Sequence, residues 1–375
     1  MALSFGLLGT GYWALHTHGT ALAASPHAEL RGVWGRDPAK ARDLGKRLGA
    51  EGYEDLDELL GEVDAVAIAL PPDIQAELAV RAARAGCHLL LEKPLALSVE
   101  AAQAVVRAVD EAGVASVVFF TSRFRPDVED WTGSAAEAGA WYSAHLVHYA
   151  NIYQPGSPYA GSAWRRERGA LWDIGPHGLA ALLPVMGPVT SVAARSGPAG
   201  SDTVHLVLTH GPRLAGTGVQ AAGAEAEPVG AAQGAAEEIE NLSWADVPAG
   251  SPAAGAPVPA DPPRPRSAQR TAMPYDLGNS PGGPAAVSVL SLGLTMPPPA
   301  TASQLVLYGE RGARARPEGS FEPAEAFQNA IAELAAMAET GTRRHRCDAR
   351  FGLDVVRALA AAEEALALPG IALRH

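Results

Sequence analysis

Cysteine is scarce in this chain, which has only Cys87 and Cys347 among 375 residues. The two lie far apart and lack the close spacing of metal ligands, so no metal site is predicted. A reducing compartment, the cytoplasm, is the simplest interpretation. Basic residues are also too few for a nucleic-acid partner, because 29 Lys and Arg stand against 41 Asp and Glu, for a net charge of −12.

Long apolar runs are missing as well. No uncharged apolar stretch of the sequence reaches the ~18 residues that a membrane-spanning helix needs. Residues 1–5 are apolar but lack the basic region of a signal peptide, and they lead directly into a glycine-rich turn. We therefore expect no membrane association. The length of the chain, with 47% hydrophobic residues, suffices for two domains that each bury a core.

The first third of the chain alternates predicted strands with predicted helices. Five apolar runs indicate buried strands, at residues 4–8, 30–34, 64–70, 87–91 and 115–121. Asp37 followed by Pro38 indicates the start of one helix and Gly49 its end, and Ser98 can cap another. Strands separated by helices of this length predict βαβ units and a parallel, doubly wound sheet.

The pattern changes after Phe124. Five further strands are predicted without regular crossover helices, at residues 140–149, 189–194, 203–209, 287–294 and 304–308. Two helices are predicted at residues 321–340 and 348–368. This pattern is typical of an α/β domain with an open, mostly antiparallel or mixed sheet that helices cover on one face.

Residues from about 211 to 283 differ from the rest of the chain. Ala, Gly and Pro dominate them, with an acidic patch at Glu237-Glu238-Ile239-Glu240. A stretch of roughly 70 residues without a period far exceeds the ~12–15 residues of a long loop. We therefore predict a low-complexity, disordered insertion between two strands that are otherwise hairpin neighbours. A regulatory or partner-binding role is the alternative to a merely solvated segment.

A glycine-rich turn, Gly9-Thr10-Gly11-Tyr12-Trp13-Ala14, follows the first predicted strand. The first glycine allows a tight turn, the second lets the backbone approach a pyrophosphate, and the alanine lets helix and strand pack. The helix that begins here offers free N–H groups and a positive dipole end to phosphates. Because a second strand follows at the right distance, the turn predicts a dinucleotide cofactor.

The end of the second predicted strand bears on the choice between NADP and NAD. An acidic residue there would bind the ribose hydroxyls of NAD, but this chain has Trp34-Gly35-Arg36. Arg36, helped by Lys40, can pair with a 2′-phosphate. We therefore favour NADP. NAD is the alternative, because Asp37 could serve the ribose and arginines also stack on adenine.

Lys93 stands between Glu92 and Pro94, directly after the apolar run at 87–91. Proline restrains the lysine backbone to an extended geometry and so fixes the direction of its side chain. The carboxyl end of a parallel strand faces the crevice where such sheets bind ligands. The position predicts a cation beside the reactive ring of a cofactor; an ordinary surface lysine is the alternative.

A third group of residues comprises Trp164-Arg165 and the segment from Gly169 to His177. Asp173 and His177 are four residues apart, so they share one face if a helix begins there. A carboxylate beside an imidazole suits proton transfer, because the acid orients the ring and supports its protonated form. A capping aspartate with a surface histidine is the alternative. His145, His148, His205 and His210 show no ligand spacing and are interpreted as structural.

Taken together, these motifs resemble those of the Gfo/Idh/MocA oxidoreductases, the family of glucose–fructose oxidoreductase and inositol dehydrogenase. The matching segments are Gly9-x-Gly11-x-x-Ala14 with His18, Glu92-Lys93-Pro94, Arg123-Phe124, Trp164-Arg165, Asp173-Ile174-Gly175-x-His177, Tyr308-Gly309-Glu310-x-Gly312 and 347–352. They cover nearly the whole chain except the insertion. One departure is that 71–75 reads Pro-Pro-Asp-Ile-Gln, where the family often has asparagine and histidine.

The resemblance implies a Rossmann domain at residues 1–122 and a C-terminal domain for substrate binding and oligomerisation at 123–375, with a homo-oligomer formed through the C-terminal sheet. Motifs and resemblance together assign to the cofactor Gly9, Thr10, Gly11, Tyr12, Trp13, Ala14, Arg36, Leu70, Pro71, Glu92 and Lys93. They assign to the substrate Lys93, Arg123, Trp164, Arg165, Asp173 and His177.

The catalytic residues that the resemblance implies are Lys93, Asp173 and His177. Lys93 would bind the reacting oxygen, His177 would exchange the proton, and Asp173 would position substrate or histidine. The implied activity is hydride transfer between NAD(P) and an alcohol or carbonyl carbon of a sugar, cyclitol or similar small polyol. Two alternatives are an NAD-dependent glycoside hydrolase that oxidises its substrate transiently and a non-catalytic, nucleotide-binding regulator of the same fold.

Overall fold

A computed structural model of the protein describes residues 2–212, 285–319 and 321–368. From residue 213 to its end, the predicted insertion at about 211–283 lies outside these described residues. Within them the chain forms two six-stranded sheets, the first parallel and the second mixed, each with helices. This architecture confirms the predicted fold class.

The first sheet has the strand order β3-β2-β1-β4-β5-β6, and its strands pair in parallel. Its strands are β1 (Leu3–Leu8), β2 (Ala28–Trp34), β3 (Glu51–Tyr53), β4 (Ala65–Ile68), β5 (His88–Glu92) and β6 (Ser116–Phe119). The order reverses between β1 and β4, so a crevice opens beyond the carboxyl ends of these two strands. Sheets of this kind bind their ligands in that crevice.

The helices of the first half begin and end largely where the sequence predicted. They are α1 (Thr20–Ala24), preceded by a π-helix at Ala14–Gly19, then α2 (Pro38–Leu48), α3 (Leu56–Glu62), α4 (Pro72–Arg84) and α5 (Val99–Ala112). The Asp37 carboxylate accepts from the backbone N–H groups of Ala39 and Lys40 and caps α2. Gly49 ends that helix in the left-handed conformation, with φ 74°.

The second sheet has the strand order β12-β11-β7-β10-β9-β8. Its strands are β7 (Trp141–Tyr149), β8 (Val189–Ser196), β9 (Val204–His210), β10 (Ala286–Gly293), β11 (Ala302–Gly309) and β12 (Gly312–Ala315). Only the central β7–β10 pair is parallel. The strands that flank the predicted insertion, β9 and β10, pair antiparallel, with His210 opposite Ala286.

The described residues after 122 contain five helices. They are α6 (Pro126–Ala138), α7 (Ala163–Asp173), α8 (Gly175–Met186), α9 (Pro323–Thr340) and α10 (Ala349–Ala367), with short 3₁₀ turns at Thr121–Phe124 and Pro298–Ala300. Helix α8 packs closely on β7, since a Cβ at Gly178 would lie 3.0 Å from Leu146 Cδ1. This packing puts the start of α8 on the inner face of the second sheet.

The last two helices pack against the first half of the chain, and α10 also contacts β8 of the second sheet. The N–H of Val118 donates to the carbonyl of Cys347 at 2.7 Å, so the segment before α10 covers the open edge of β6. The His18 ring packs 4.0 Å from the Phe327 ring of α9. The carboxyl ends of the first sheet therefore face α7, α8 and the inner face of the second sheet.

Candidate active site

The glycine-rich turn lies at the end of β1, beside β4. Gly9 has φ 132°, and a Cβ on it would lie 2.5 Å from the carbonyl oxygen of Ala69, so only glycine fits this position. At Gly11 a Cβ would meet no atom within 4 Å. The open space above Gly11, next to the helix that begins with Leu15 N–H donating to the Gly11 carbonyl, fits a pyrophosphate.

The end of β2 packs against the same turn. A Cβ at Gly35 would lie 2.7 Å from Thr10 Cγ2, so this glycine lets the two segments meet. Arg36 is exposed directly beyond it. The Asp37 carboxylate is engaged in capping α2, and its Oδ2 lies 4.0 Å from Lys40 Nζ. The guanidinium is therefore the more accessible group at the place where the adenine ribose of a dinucleotide binds in this fold.

The end of β5 is held in place by Gln75, which lies in α4 and is fully buried. Its side-chain amide donates to the carbonyl of Glu92 at 2.7 Å and accepts from the N–H of Glu92 at 2.7 Å. Longer contacts reach the carbonyls of Pro94 and Leu95. Leu70 and Pro71 are partly buried in the preceding turn. The amide thus clamps the strand end from which Lys93 projects.

The Glu92 carboxylate links β5 to the glycine-rich segment. Its Oε1 accepts from Trp13 Nε1 at 2.6 Å and contacts His18 Nε2 at 2.8 Å. Burial alone would raise the pKa of Glu92, but the His18 hydrogen bond and the Lys93 charge hold it below its usual range. An ionised carboxylate therefore ties the first helix to the strand end beside Lys93.

Lys93 is fixed by Asp173 from the second half of the chain. The ammonium donates to the backbone carbonyl of Asp173 at 2.7 Å and to its Oδ1 at 3.0 Å. Arg165 Nε approaches Oδ2 at 3.2 Å. Burial alone would raise the pKa of Asp173, but the two cations outweigh it and lower the pKa. Because an ammonium has three N–H donors, Lys93 keeps one for a ligand.

Asp173 and His177 do not share one helix. Asp173 ends α7 and His177 lies in the first turn of α8, with Ile174 joining the two helices. Gly169, with φ 62°, interrupts α7 as well. The Asp173 carboxylate pairs with Lys93 and Arg165. It therefore does not orient the His177 imidazole in the way that the sequence had suggested. The prediction of a common helical face was wrong because the helix is interrupted at Ile174, between the two residues.

The imidazole of His177 instead lies near a second histidine. Its ring centroid is 6.4 Å from that of His148 on β7. Burial and then the charge of Lys93 lower the pKa of His177 well below 6.5. Burial, Arg316 and Lys93 lower the pKa of His148 to about 4. Both rings are therefore neutral at pH 7, and a neutral imidazole can accept a proton.

Sequence reasoning missed three residues of this site, His148, Tyr153 and Arg316. His148 had been interpreted as structural because no local spacing connects it to His177. The Tyr153 hydroxyl is buried without a hydrogen-bond partner among the described residues. Arg316 follows β12, and only the sheet brings it near the histidines. No local signal could have identified these residues, because each reaches the site through strand pairing or a long loop.

Aromatic rings line the side of the site towards the glycine-rich segment. Arg165 lies 4.7 Å over the Tyr159 ring and 4.6 Å over the Trp164 ring. The Tyr159 ring is 6.5 Å from that of Trp13. These contacts join the loop after β7 to the first helix. Trp164 lies against Arg165, which pairs with Asp173, and the substrate contacts of both residues stay a prediction.

The structure does not bring Arg123 to this site. Its guanidinium is 2% exposed, donates to the carboxylate of Glu129 at 2.8 and 3.2 Å, and donates to the carbonyl of Ala180 at 2.9 Å. These bonds join the 3₁₀ turn to α6 and α8. Its predicted substrate contact is therefore replaced by a structural role.

No group of three or more His, Cys, Asp or Glu in the described part of the chain is arranged to hold a metal ion. No helix there is both long and apolar enough to cross a membrane.

Residues 3–120 match the model of an oxidoreductase family with an NAD-binding Rossmann fold. The chain is 30% identical over 217 residues to D-apiose dehydrogenase of Paraburkholderia graminis, an alignment covering 54% of this chain and 56% of that protein. It is 35% identical over 127 residues to inositol 2-dehydrogenase of Rhizobium meliloti, covering 34% of this chain and 38% of that one. The chain thus spans about half or less of these relatives' length.

Solved structures share the whole fold at low sequence identity. UDP-N-acetylglucosamine 3-dehydrogenase from Acidithiobacillus ferrooxidans superimposes with a TM-score of 0.66 at 17% identity, over 98% of each chain. A dehydrogenase from Bordetella pertussis in complex with NADH and UDP-GlcNAcA gives a TM-score of 0.66 at 20% identity, over 97% of this chain and 96% of that one. Likeness at this level concerns the fold.

Proposed function

We propose that this chain is an NAD(P)-dependent dehydrogenase or reductase of the Gfo/Idh/MocA oxidoreductase family, whose Rossmann-fold model residues 3–120 match. Its substrate is a sugar, cyclitol or similar small polyol. Two relatives named for dehydrogenation of apiose and inositol support the substrate class. The observation that carries the proposal is the Lys93 ammonium, held by Asp173 at the carboxyl end of β5 beside a neutral His177.

The cofactor site is proposed from the fit of the residues to a dinucleotide. The open space above Gly11 and the adjacent helix start receive the pyrophosphate, and Leu70 and Pro71 flank the crevice. Thr10, Tyr12 and Trp13 supply backbone N–H groups and walls, Ala14 packs behind the turn, and Glu92 holds Trp13. When bound, the nicotinamide supplies the hydride acceptor or donor.

Three side chains handle the remaining chemistry. In the oxidation direction, the free N–H of Lys93 donates to the substrate hydroxyl oxygen and stabilises the negative charge that develops on it. His177 accepts the hydroxyl proton, which its lowered pKa permits at pH 7. Asp173 does not touch the proton but fixes the ammonium through two contacts. In reduction the same groups act in the reverse sense.

The decisive test removes Lys93. We expect Lys93→Ala to lower kcat about 10²–10³-fold, the usual effect of deleting one donor to a developing oxyanion. NADPH binding, followed by its fluorescence, should persist in the variant. Lys46→Ala is the matched control, since Lys46 is exposed in the last turn of α2. Near-normal turnover in Lys93→Ala would exclude the proposed role, and aryl glycoside cleavage without added cofactor would favour the glycosidase alternative.

NADP is the proposed preference. Arg36 is exposed beyond β2 and can pair with a 2′-phosphate, while Asp37 is engaged at the start of α2. The ratio of kcat/KM for NADP to that for NAD should exceed one and should fall in Arg36→Ala. A strong preference for NAD in the unmodified protein would contradict the assignment.

The proposed assembly is a homo-oligomer through the outer face of the second sheet. Three large side chains on its strands are exposed, Tyr142, Val207 and Tyr308. Exposed apolar side chains that form one contiguous patch commonly mark an interface. Light scattering should give a mass of at least twice the 38.7 kDa of one chain. A monomer at micromolar concentration would refute the assembly. The domain division at 1–122 and 123–375 is likewise retained as a proposal.

A further inference from the structure

Three cations and two carboxylates, those of Asp173 and Glu92, belong to the proposed active site. Lys93 and Arg165 share the single carboxylate of Asp173. Arg316 adds a third cation, close enough to lower the pKa values of both His148 and His177. Lys93 and Arg165 have a carboxylate at ion-pair distance and Arg316 has none among the described residues, so the charge of Arg316 bears on the substrate. The inference below therefore rests on the proposed function and narrows its substrate class.

The position of Arg316 is fixed by the second sheet. Its backbone N–H donates to the Leu305 carbonyl at 2.9 Å, and its guanidinium donates to Ser303 Oγ at 3.1 Å. Ser303 lies directly opposite His148 in the β11–β7 pairing. Opposed side chains in a sheet lie on the same face. Arg316 is thus anchored on the inner face, beside the histidine that neighbours His177.

Among the described residues the Arg316 guanidinium has no ion-pair partner, and the charges of Glu318 and Asp127 act on it only from a longer distance. No carboxylate of the described residues comes within 4.0 Å of Arg316, whereas the neighbouring Arg125 is paired with Asp127 at 2.6 Å. Arg316 is only partly exposed, and burial lowers its pKa. A charge taken out of water without a partner is costly, and a bound anion would offset that cost.

The buried hydroxyl of Tyr153 provides a second unsatisfied donor near the site. Its Oη has no hydrogen-bond partner among the described residues. Burial and then the charge of Asp173 raise the pKa of this phenol, so it stays protonated and close to Asp173. A buried donor without an acceptor costs free energy that a ligand oxygen would recover.

We propose that the substrate polyol carries an acidic group, a carboxylate or a phosphate, which Arg316 binds beside His148. The reacting carbon then lies at Lys93 and His177, and Tyr153 donates to a substrate oxygen. The planar fork of arginine suits either anion, because it can make two parallel N–H···O bonds. Ser303 holds one edge of the guanidinium and leaves the rest for the ligand.

The test compares charged and neutral sugars on the same holoenzyme. Each acid is paired with its neutral counterpart: D-glucuronate and D-glucose 6-phosphate with D-glucose, and D-gluconate with D-glucitol. The measurements are kcat/KM and the shift of the thermal midpoint with NADP present. The variant is Arg316→Gln, and the matched control is Arg311→Gln, which removes an exposed charge from the turn between β11 and β12. NADPH binding checks that each variant is folded.

We expect at least one acid to be turned over or bound at least 10-fold better than its neutral counterpart. Arg316→Gln should abolish this preference, and Arg311→Gln should keep it. A higher kcat/KM for the carboxylates than for the phosphate would indicate that the substrate is a sugar acid. The opposite order would indicate a sugar phosphate. The proposal is overturned if no acid binds, if acids and neutral sugars behave alike, or if Arg316→Gln weakens both equally.

Failure of the proposed function has a different signature. If a neutral polyol is turned over and Arg316→Gln does not change its turnover, the proposed dehydrogenase activity stands and only the proposed acidic group of the substrate is excluded. If an acid binds through Arg316 but causes neither NADP reduction nor NADPH oxidation, the proposed anion site stands and the proposed redox activity is excluded.

Discussion

Replacing Asp173 by asparagine tests the contact on which the site depends. The substitution keeps the shape of the side chain and removes its charge. Asp173 is 4% exposed, and its two oxygens face Lys93 at 3.0 Å and Arg165 at 3.2 Å. After the change, two partly buried cations face each other without the carboxylate that joins them. Both stability and the orientation of Lys93 should therefore suffer.

The size of the stability loss depends on how exposed Lys93 and Arg165 are. Breaking a buried ion pair by removing one member costs roughly 3–5 kcal/mol. The Lys93 and Arg165 side chains remain 11% and 21% exposed, and Lys93 keeps the Asp173 carbonyl at 2.7 Å. We therefore expect the lower end, about 3 kcal/mol in the free energy of unfolding. Turnover should fall as well, because the ammonium loses one of its two anchors.

The pH dependence of this difference has a defined sign. The pKa of Asp173 in the folded protein lies below 3.8, so its contribution is complete above the unfolded value and is lost as the pH falls through the folded one. Unfolding of wild type and variant by urea should therefore differ most at pH 7, and the two should converge in acid. Asp57→Asn, which removes an exposed partner of Arg81, is the control. If Asp173→Asn is as stable as that control at pH 7, the reasoning fails.

Two further predictions concern the turn and the histidine. Gly9→Ala should unfold the protein at a lower temperature, because its Cβ would meet the Ala69 carbonyl at 2.5 Å; Gly11→Ala should keep the wild-type thermal midpoint and weaken NADPH binding, since its Cβ enters the open space. Equal midpoints for the two variants would contradict this. For oxidation, kcat/KM should stay level as the pH falls from 7 through 6.5 and decline only below, because the pKa of His177 is lowered; a decline that His177→Gln leaves unchanged, or one centred at or above pH 6.5, would exclude this base.

Local chemistry predicted much of the first sheet. Asp37 with Pro38 marked α2, and Ser98 marked α5, because a side-chain cap and a proline act within one turn of helix. The short elements β3 and α3 went unpredicted, since three and seven residues carry too little periodicity. The π-helical turn at Ala14–Gly19 likewise has no sequence signature.

The site was predictable only where a motif is continuous in the chain. Lys93 follows a buried strand and so points into the crevice, whatever the rest of the fold does. Arg123 belongs to a motif that matches the family pattern. Its guanidinium is nevertheless buried, because it donates to Glu129, which lies six residues further along the chain. His148 and Arg316 meet through sheet pairing across a long separation, which spacing along the chain does not reveal.

The central claim is that one crevice holds the cofactor's reactive ring against both an ammonium and an imidazole. A crystal structure with NADP and a bound polyol tests it most directly. We expect the pyrophosphate above Gly11, the nicotinamide at the end of β5, and a substrate oxygen within ~3 Å of both Lys93 Nζ and a His177 ring nitrogen. A nicotinamide bound away from Lys93, or a substrate oxygen that neither side chain reaches, would contradict the account.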